Sequence, residues 1–166
     1  MVICSLATLF TRLSNELNLP HRTVRYHLRV IKDDFRFHHL GIAVHDLAKA
    51  IPIYHQLFGY ELTSGPFDDP IQKVSVCFLT RGEGDMTLEL VTAQGPDSPV
   101  QRTLNQGGGA YHVCYEVPKI DDALHHMKAQ KCGVLSDPVP AVAFQGRLIA
   151  WLSTPTRQLI ELLQAV

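Results

Sequence analysis

In two places along the chain, apolar and polar positions alternate with the period of a half-buried strand, and each is followed by a helical pattern. In Phe37-His38-His39-Leu40-Gly41-Ile42-Ala43-Val44 the side chains of Leu40, Ile42 and Val44 share one face, and His39 shares the other with Gly41 and Ala43. Asp46 then stands at a helix N-cap, and Leu47, Ala50, Ile51, Tyr54, Leu57 and Phe58 form the apolar stripe of a helix that Gly59 stops. Pro52 inside that helix removes one backbone hydrogen bond and predicts a bend. Residues 60–63, 72–80 and 85–92 read as three strands separated by turns rich in Gly, Pro and Asp.

The pattern then returns with an offset of 73 residues, after a linker over 95–109 with room for one helical turn. Val117 falls on Val44, Ile120 on Leu47 and Ala123 on Ala50, and Gly133 falls on Gly59 with one residue inserted. A second helix is predicted over 120–132, with later strands centred on Val134-Leu135, 147–152 and 158–163. Chance rarely keeps a strand, a helix and a stop in register twice. The expected fold is therefore α+β, with two βαβββ modules over 36–94 and 109–166 inside one domain spanning 35–166.

The repeat also carries the candidate chemistry. His39 is followed by Glu89 after 50 positions, and His112 is followed by Glu161 after 49. Glu89 is flanked by Leu88 and Leu90, and Glu161 by Ile160 and Leu162, so both carboxylates project away from the aliphatic layer, as the two imidazoles do. A charged group on such a strand needs water, a partner or a metal. The expectation is that these four side chains close on one divalent ion. Two imidazoles and two carboxylates suit Co, Ni, Mn, Fe or Zn better than a thiolate-seeking metal. If such an ion is six-coordinate, two places remain for the oxygens of a thioester or carbonyl substrate, and the ion stabilises the enolate formed when a neighbouring C–H is deprotonated. Glu161 is the first candidate for the base. Gln72, Lys73, Arg147 and Glu116 are further polar candidates, with Gln72 and Arg147 as substrate-binding residues and Arg147 suited to phosphate or carboxylate groups. For Cys114, two residues from His112, a small packing role is expected, and His38, His45, His55, His125 and His126 are expected at the surface or satisfied.

Composition narrows the setting. Of 166 residues, 46% are hydrophobic and 19% charged, the balance of a water-soluble globular protein, and a formal charge of −1 gives no reason to expect a polyanionic partner. The four cysteines show no C-x-x-C spacing, so reduced thiols in a cytoplasm are the plain expectation. The opening residues make a poor signal peptide, and no stretch is long enough to span a bilayer. Residues 1–34 set basic side chains among leucines, and 13–28 look like the helix-turn-helix of a bacterial regulator. The segment lacks a third helix or wing, so nucleic acid is not the expected partner. A helical extension packing on the main domain, or on a second subunit in a homodimer, is expected instead.

Over residues 36–166 the sequence resembles the vicinal oxygen chelate, or glyoxalase/bleomycin resistance/dioxygenase, superfamily. His39-Leu40-Gly41-Ile42-Ala43-Val44-His45-Asp46-Leu47, the run from Gly108 to Val117 and Leu159-Ile160-Glu161-Leu162-Leu163 look most like the methylmalonyl-CoA epimerase family within it. The resemblance implies a cupped mixed sheet around a metal held by His39, Glu89, His112 and Glu161. It further implies a metal-dependent isomerase acting through an enolate on an acyl-CoA such as methylmalonyl-CoA. One departure is Val76, which stands where some epimerases carry a second catalytic glutamate. The alternatives are a lactoylglutathione lyase, which shares the ligand types and enediolate chemistry, and a metal-free module that binds small molecules in the same cavity. An extradiol dioxygenase fits less well, because that chemistry uses two histidines and one carboxylate and leaves three positions open.

Overall fold

A computed structural model describes residues 34–166. The helix-turn-helix likeness, and all but the last residue of the expected N-terminal extension, lie outside the described residues. The first module runs β1 (Arg36–Ala43), α1 (Leu47–Phe58), β2 (Glu61–Asp69), β3 (Val74–Thr80) and β4 (Leu88–Ala93). After the short helix α2 (Gln101–Asn105), the second runs β5 (Gly109–Val117), α3 (Ile120–Ala129), β6 (Gly133–Val134), β7 (Val139–Pro140), β8 (Leu148–Ser153) and β9 (Leu159–Gln164). The strands form one mixed sheet in the order β2-β3-β4-β1-β5-β9-β8-β6, with β7 paired to β8. The two modules meet where β1 and β5 pair antiparallel, and each of these strands pairs in parallel with the last strand of its own module.

Helices α1 and α3 cover one face of the sheet. Leu47 and Ala50 pack on Cys77, Leu79 and Leu90, while Ile120, Ala123 and Leu124 pack on Ala150, Leu152, Ile160 and Leu162. At α1 the Asp46 side chain accepts from the Lys49 N–H at 3.2 Å, and Gly59 takes the left-handed conformation (φ 73°) that closes a helix at little steric cost. The other face carries the polar groups His39, Glu89, His112 and Glu161 among apolar ones such as Phe78 and Ile149. Part of it is closed by Val100 and Leu104, at the start of and within α2, which pack with Ala43, Val74, Val76, Phe78 and Val91.

Several local expectations are corrected. Leu57 and Phe58 are 67% and 55% exposed, because α1 reaches the sheet mainly through its earlier turns. Helix α3 stops at Ala129, since the left-handed residue after it is Lys131 (φ 65°) and not Gly133. Strand β2 runs on through Gly65-Pro66 to Asp69, where a turn was expected after residue 63. It lies at a sheet edge with register shifts around Ser64, and an edge is where a sheet tolerates proline. Among the described residues, no helix is long and apolar enough to cross a membrane.

Candidate metal centre

The pairing of β1 with β5 builds the site. In one row across the sheet, Glu89 of β4 neighbours Gly41 of β1, which neighbours His112 of β5. In the next, His39 of β1 neighbours Cys114 of β5, which neighbours Glu161 of β9. Each row thus sets a carboxylate and an imidazole on either side of a small residue, and the small residues, Gly41 and Cys114, are themselves equivalent in the repeat. Two β-bulges complete the geometry. β1 carries one extra residue at His38 and β5 one at Tyr111, each immediately before a candidate ligand, and a bulge re-aims the side chains beside it.

All four predicted ligands are buried, at 5% exposure or less. Their ligand atoms lie within 4.8 Å of one another. His39 Nε2 stands 3.0 Å from His112 Nε2, 3.4 Å from Glu89 Oε2 and 3.2 Å from Glu161 Oε2, and His112 Nε2 stands 3.3 and 3.4 Å from the same two oxygens. Ligands held about 2.1 Å from a common ion stand roughly 3.0–3.4 Å apart at angles from square to tetrahedral, so the spacing fits a shared cation. Hydrogen bonding alone leaves the cluster incomplete, because His112 Nδ1 is buried without a partner and Glu161 Oε2, though close to both imidazoles, is in hydrogen-bond geometry with neither. A second triplet, His38, His39 and Cys114, is also close enough for an ion. There the Cys114 thiol is held well above its usual pKa by burial and by Glu161, which opposes the thiolate a metal would need.

The charges agree with the spacing. Burial alone would depress the His39 imidazole, but Glu89 and Glu161 outweigh it and raise its pKa to about 10, and His112 is raised by the same carboxylates against its own burial. Burial would push Glu89 and Glu161 up, yet the facing imidazoles hold both below the ordinary carboxylate range. The cluster attracts positive charge, and a divalent ion would replace its protons. The His39 contribution to stability is full below the unfolded value of 6.5 and lost as pH rises through about 10, and the carboxylate contribution is present above 4.5 and lost as pH falls below it. Without metal, the melting temperature is therefore expected to fall between pH 6.5 and pH 10. Added Co(II) is expected to raise it more at pH 8 than at pH 6, where protons compete more strongly for the imidazoles. Differential scanning fluorimetry at both pH values checks this, and equal shifts would contradict it.

Beside the cluster lies a cavity of about 290 Å³ whose wall includes Glu89, His112 and Glu161. Most of the remaining wall is apolar, including Val76, Phe144, Ile149 and Leu159. Gln72 lines the cavity, where its Oε1 accepts from Trp151 Nε1 at 3.0 Å, and the Trp151 ring stands edge-on to His112 at 4.9 Å. Arg147 does not line it. Its Nη2 is paired with Glu116 and its Nε donates to the Gln164 carbonyl at 2.7 Å, so both of these groups are engaged within the protein.

Two residues escaped the sequence reading. Asp69, 3% exposed, accepts from the N–H groups of Ile71 and Gln72 and, at 3.1 Å, of Val142, so it ties the two modules together at the cavity wall. The Asp69-Pro70 step was the available turn signal. Tyr111 lines the cavity because of the bulge, and burial, with Glu161 and Glu89 adding, keeps its phenol protonated up to about 12. His38, expected at the surface or satisfied, is satisfied: it is half-buried, with its Nδ1 2.8 Å from His39 Nδ1.

Residues 38–151 match the glyoxalase/bleomycin resistance protein/dioxygenase superfamily. The chain is 38% identical over 104 residues to the mitochondrial methylmalonyl-CoA epimerase of Bos taurus, an alignment covering 61% of this chain and 58% of that protein, so the chain spans less than two thirds of its relative's length. It is 34% identical over 119 residues to the ethylmalonyl-CoA/methylmalonyl-CoA epimerase of Cereibacter sphaeroides, covering 70% of this chain and 87% of the relative. A variant of the Streptomyces coelicolor methylmalonyl-CoA epimerase, solved with 2-nitronate-propionyl-CoA, superposes with a TM-score of 0.67 at 26% identity, covering 80% of this chain and 99% of that one. Because the family match runs from His38 to Trp151, through three of the four converging side chains and across both modules, the chain belongs to the glyoxalase/bleomycin resistance protein/dioxygenase superfamily.

Proposed function

We propose that this protein is a divalent-metal-dependent epimerase of a small branched acyl-CoA of the methylmalonyl type, with His39, Glu89, His112 and Glu161 as the metal ligands. The observation that carries the reading is the convergence of these four buried side chains beside a small, mainly apolar cavity. The epimerases among its relatives support the choice of substrate. A bound divalent ion would supply Lewis acidity to the acyl oxygens, making the α-hydrogen more acidic.

The protein's own groups do the rest. A cavity of about 290 Å³ fits a short acyl group and leaves the bulk of a CoA carrier outside. Glu161 both faces the ligand cluster and lines the cavity, and it is held ionised, so it stands ready to accept a proton. Its low basicity makes it a weak base, and the acidified C–H must compensate. Val76 lines the cavity and carries no proton, whereas Tyr111 presents a protonated phenol from the same wall. Gln72 steadies Trp151 against His112, and no substrate role for Arg147 is needed while it is paired with Glu116.

The test is isotopic. The protein loaded with Co(II) and given methylmalonyl-CoA in deuterium oxide is expected to place deuterium at the α-carbon. No exchange there, together with turnover of the hemithioacetal of methylglyoxal and glutathione, would replace this reading with a glyoxalase-type lyase.

A further inference from the structure

The two ligand imidazoles are held in different ways. His112 Nδ1 is buried without a partner, so no hydrogen bond at its second nitrogen orients that ring. His39 Nδ1 instead lies 2.8 Å from Nδ1 of His38, the residue that the β1 bulge turns toward it. The two rings are nearly perpendicular, with centroids 5.1 Å apart, and both pack on Phe144: His38 edge-on at 5.5 Å and His39 stacked at 6.0 Å.

A neutral imidazole has one N–H. If His39 Nε2 offers its lone pair to a cation, the proton must be on Nδ1, and it then needs an acceptor. His38 Nδ1 is at hydrogen-bond distance and can be that acceptor when its own proton is on Nε2. We infer that His38 is a positioning residue that fixes the His39 tautomer and ring orientation for metal binding. The inference rests on the metal reading above. A metal-bound histidine that loses the partner of its second nitrogen typically loses affinity.

The test crosses packing against hydrogen bonding. His38→Phe keeps a ring against Phe144 and removes the acceptor, whereas His38→Asn gives up the ring and places an amide oxygen near the position of Nδ1. Co(II) affinity and the visible d–d spectrum are measured on the purified full chain. The expected result is roughly 10- to 100-fold weaker binding and a changed spectrum for His38→Phe, with His38→Asn within about threefold of the parent. Parent-like binding by His38→Phe, or equal losses in both variants, would overturn the assignment to His38 while leaving the metal centre standing. Failure of the parent protein to bind Co(II) would overturn both.

Discussion

Glu161→Gln is expected to lower the proposed epimerase turnover by about 10²- to 10⁴-fold, the usual contribution of a general base, while the fold survives. Glutamine keeps the shape and one potential ligand oxygen but cannot take a proton, and it removes one of the two buried negative charges that hold both imidazoles above their ordinary pKa values. Two effects are therefore combined in one substitution: loss of the base and weaker metal binding. Measuring turnover across a metal titration, beside circular dichroism and bound-metal analysis, separates them. A rate that stays low at full metal occupancy identifies Glu161 as the proton carrier. A rate that returns to the parent value once metal is in excess leaves it a ligand only, and an unchanged rate would remove it from both roles.

How much of this was readable from sequence depended on whether strand alternation held. The period of two placed His39, His112, Glu89 and Glu161 on the face away from α1 and α3, and there all four are found buried together. It could not place His38 or Tyr111. Strict alternation sends both to the opposite face, and only the register shifts between Phe37 and His39 and between Gly41 and Ile42 reverse that. A bulge reflects how two strands are paired and leaves no fixed signature in either strand alone.

Element ends were lost for a related reason. Lys131 takes the left-handed conformation that a glycine rule assigned to Gly133, and β2 continues through a proline because it is an edge strand. Arg147 was drawn to substrate by its charge, but it meets Glu116, which is 31 positions away and adjacent only once β5, β8 and β9 are assembled. The internal repeat was the strongest signal because it constrained both halves at once.

Gly41→Ala is expected to abolish metal binding at micromolar Co(II), by displacing His112 from the cluster. A Cβ at position 41 would stand 2.1 Å from His112 Cε1, 2.2 Å from Nδ1 and 2.7 Å from Nε2, all far inside contact distance. The ring cannot yield toward solvent, because it is 1% exposed and bounded by Trp151 at 4.9 Å, His39 at 5.2 Å and Tyr111 at 5.3 Å. Gly41 is not among the positive-φ glycines, so alanine suits the backbone and the effect isolates the steric contact. Overpacking of this kind typically costs about 1–3 kcal/mol, set against roughly 0.5–1 kcal/mol gained by replacing a glycine within a strand, so the metal-free protein should lose modest stability. The loss of metal should be far larger, since rotating the ring carries Nε2 away from His39, Glu89 and Glu161 together. Calorimetric titration with Co(II) and the melting temperature of the metal-free variant measure the two effects separately. Parent-like affinity with an unchanged melting temperature would mean that His112 is not seated against Gly41, and the row Glu89-Gly41-His112 could not then form the centre described.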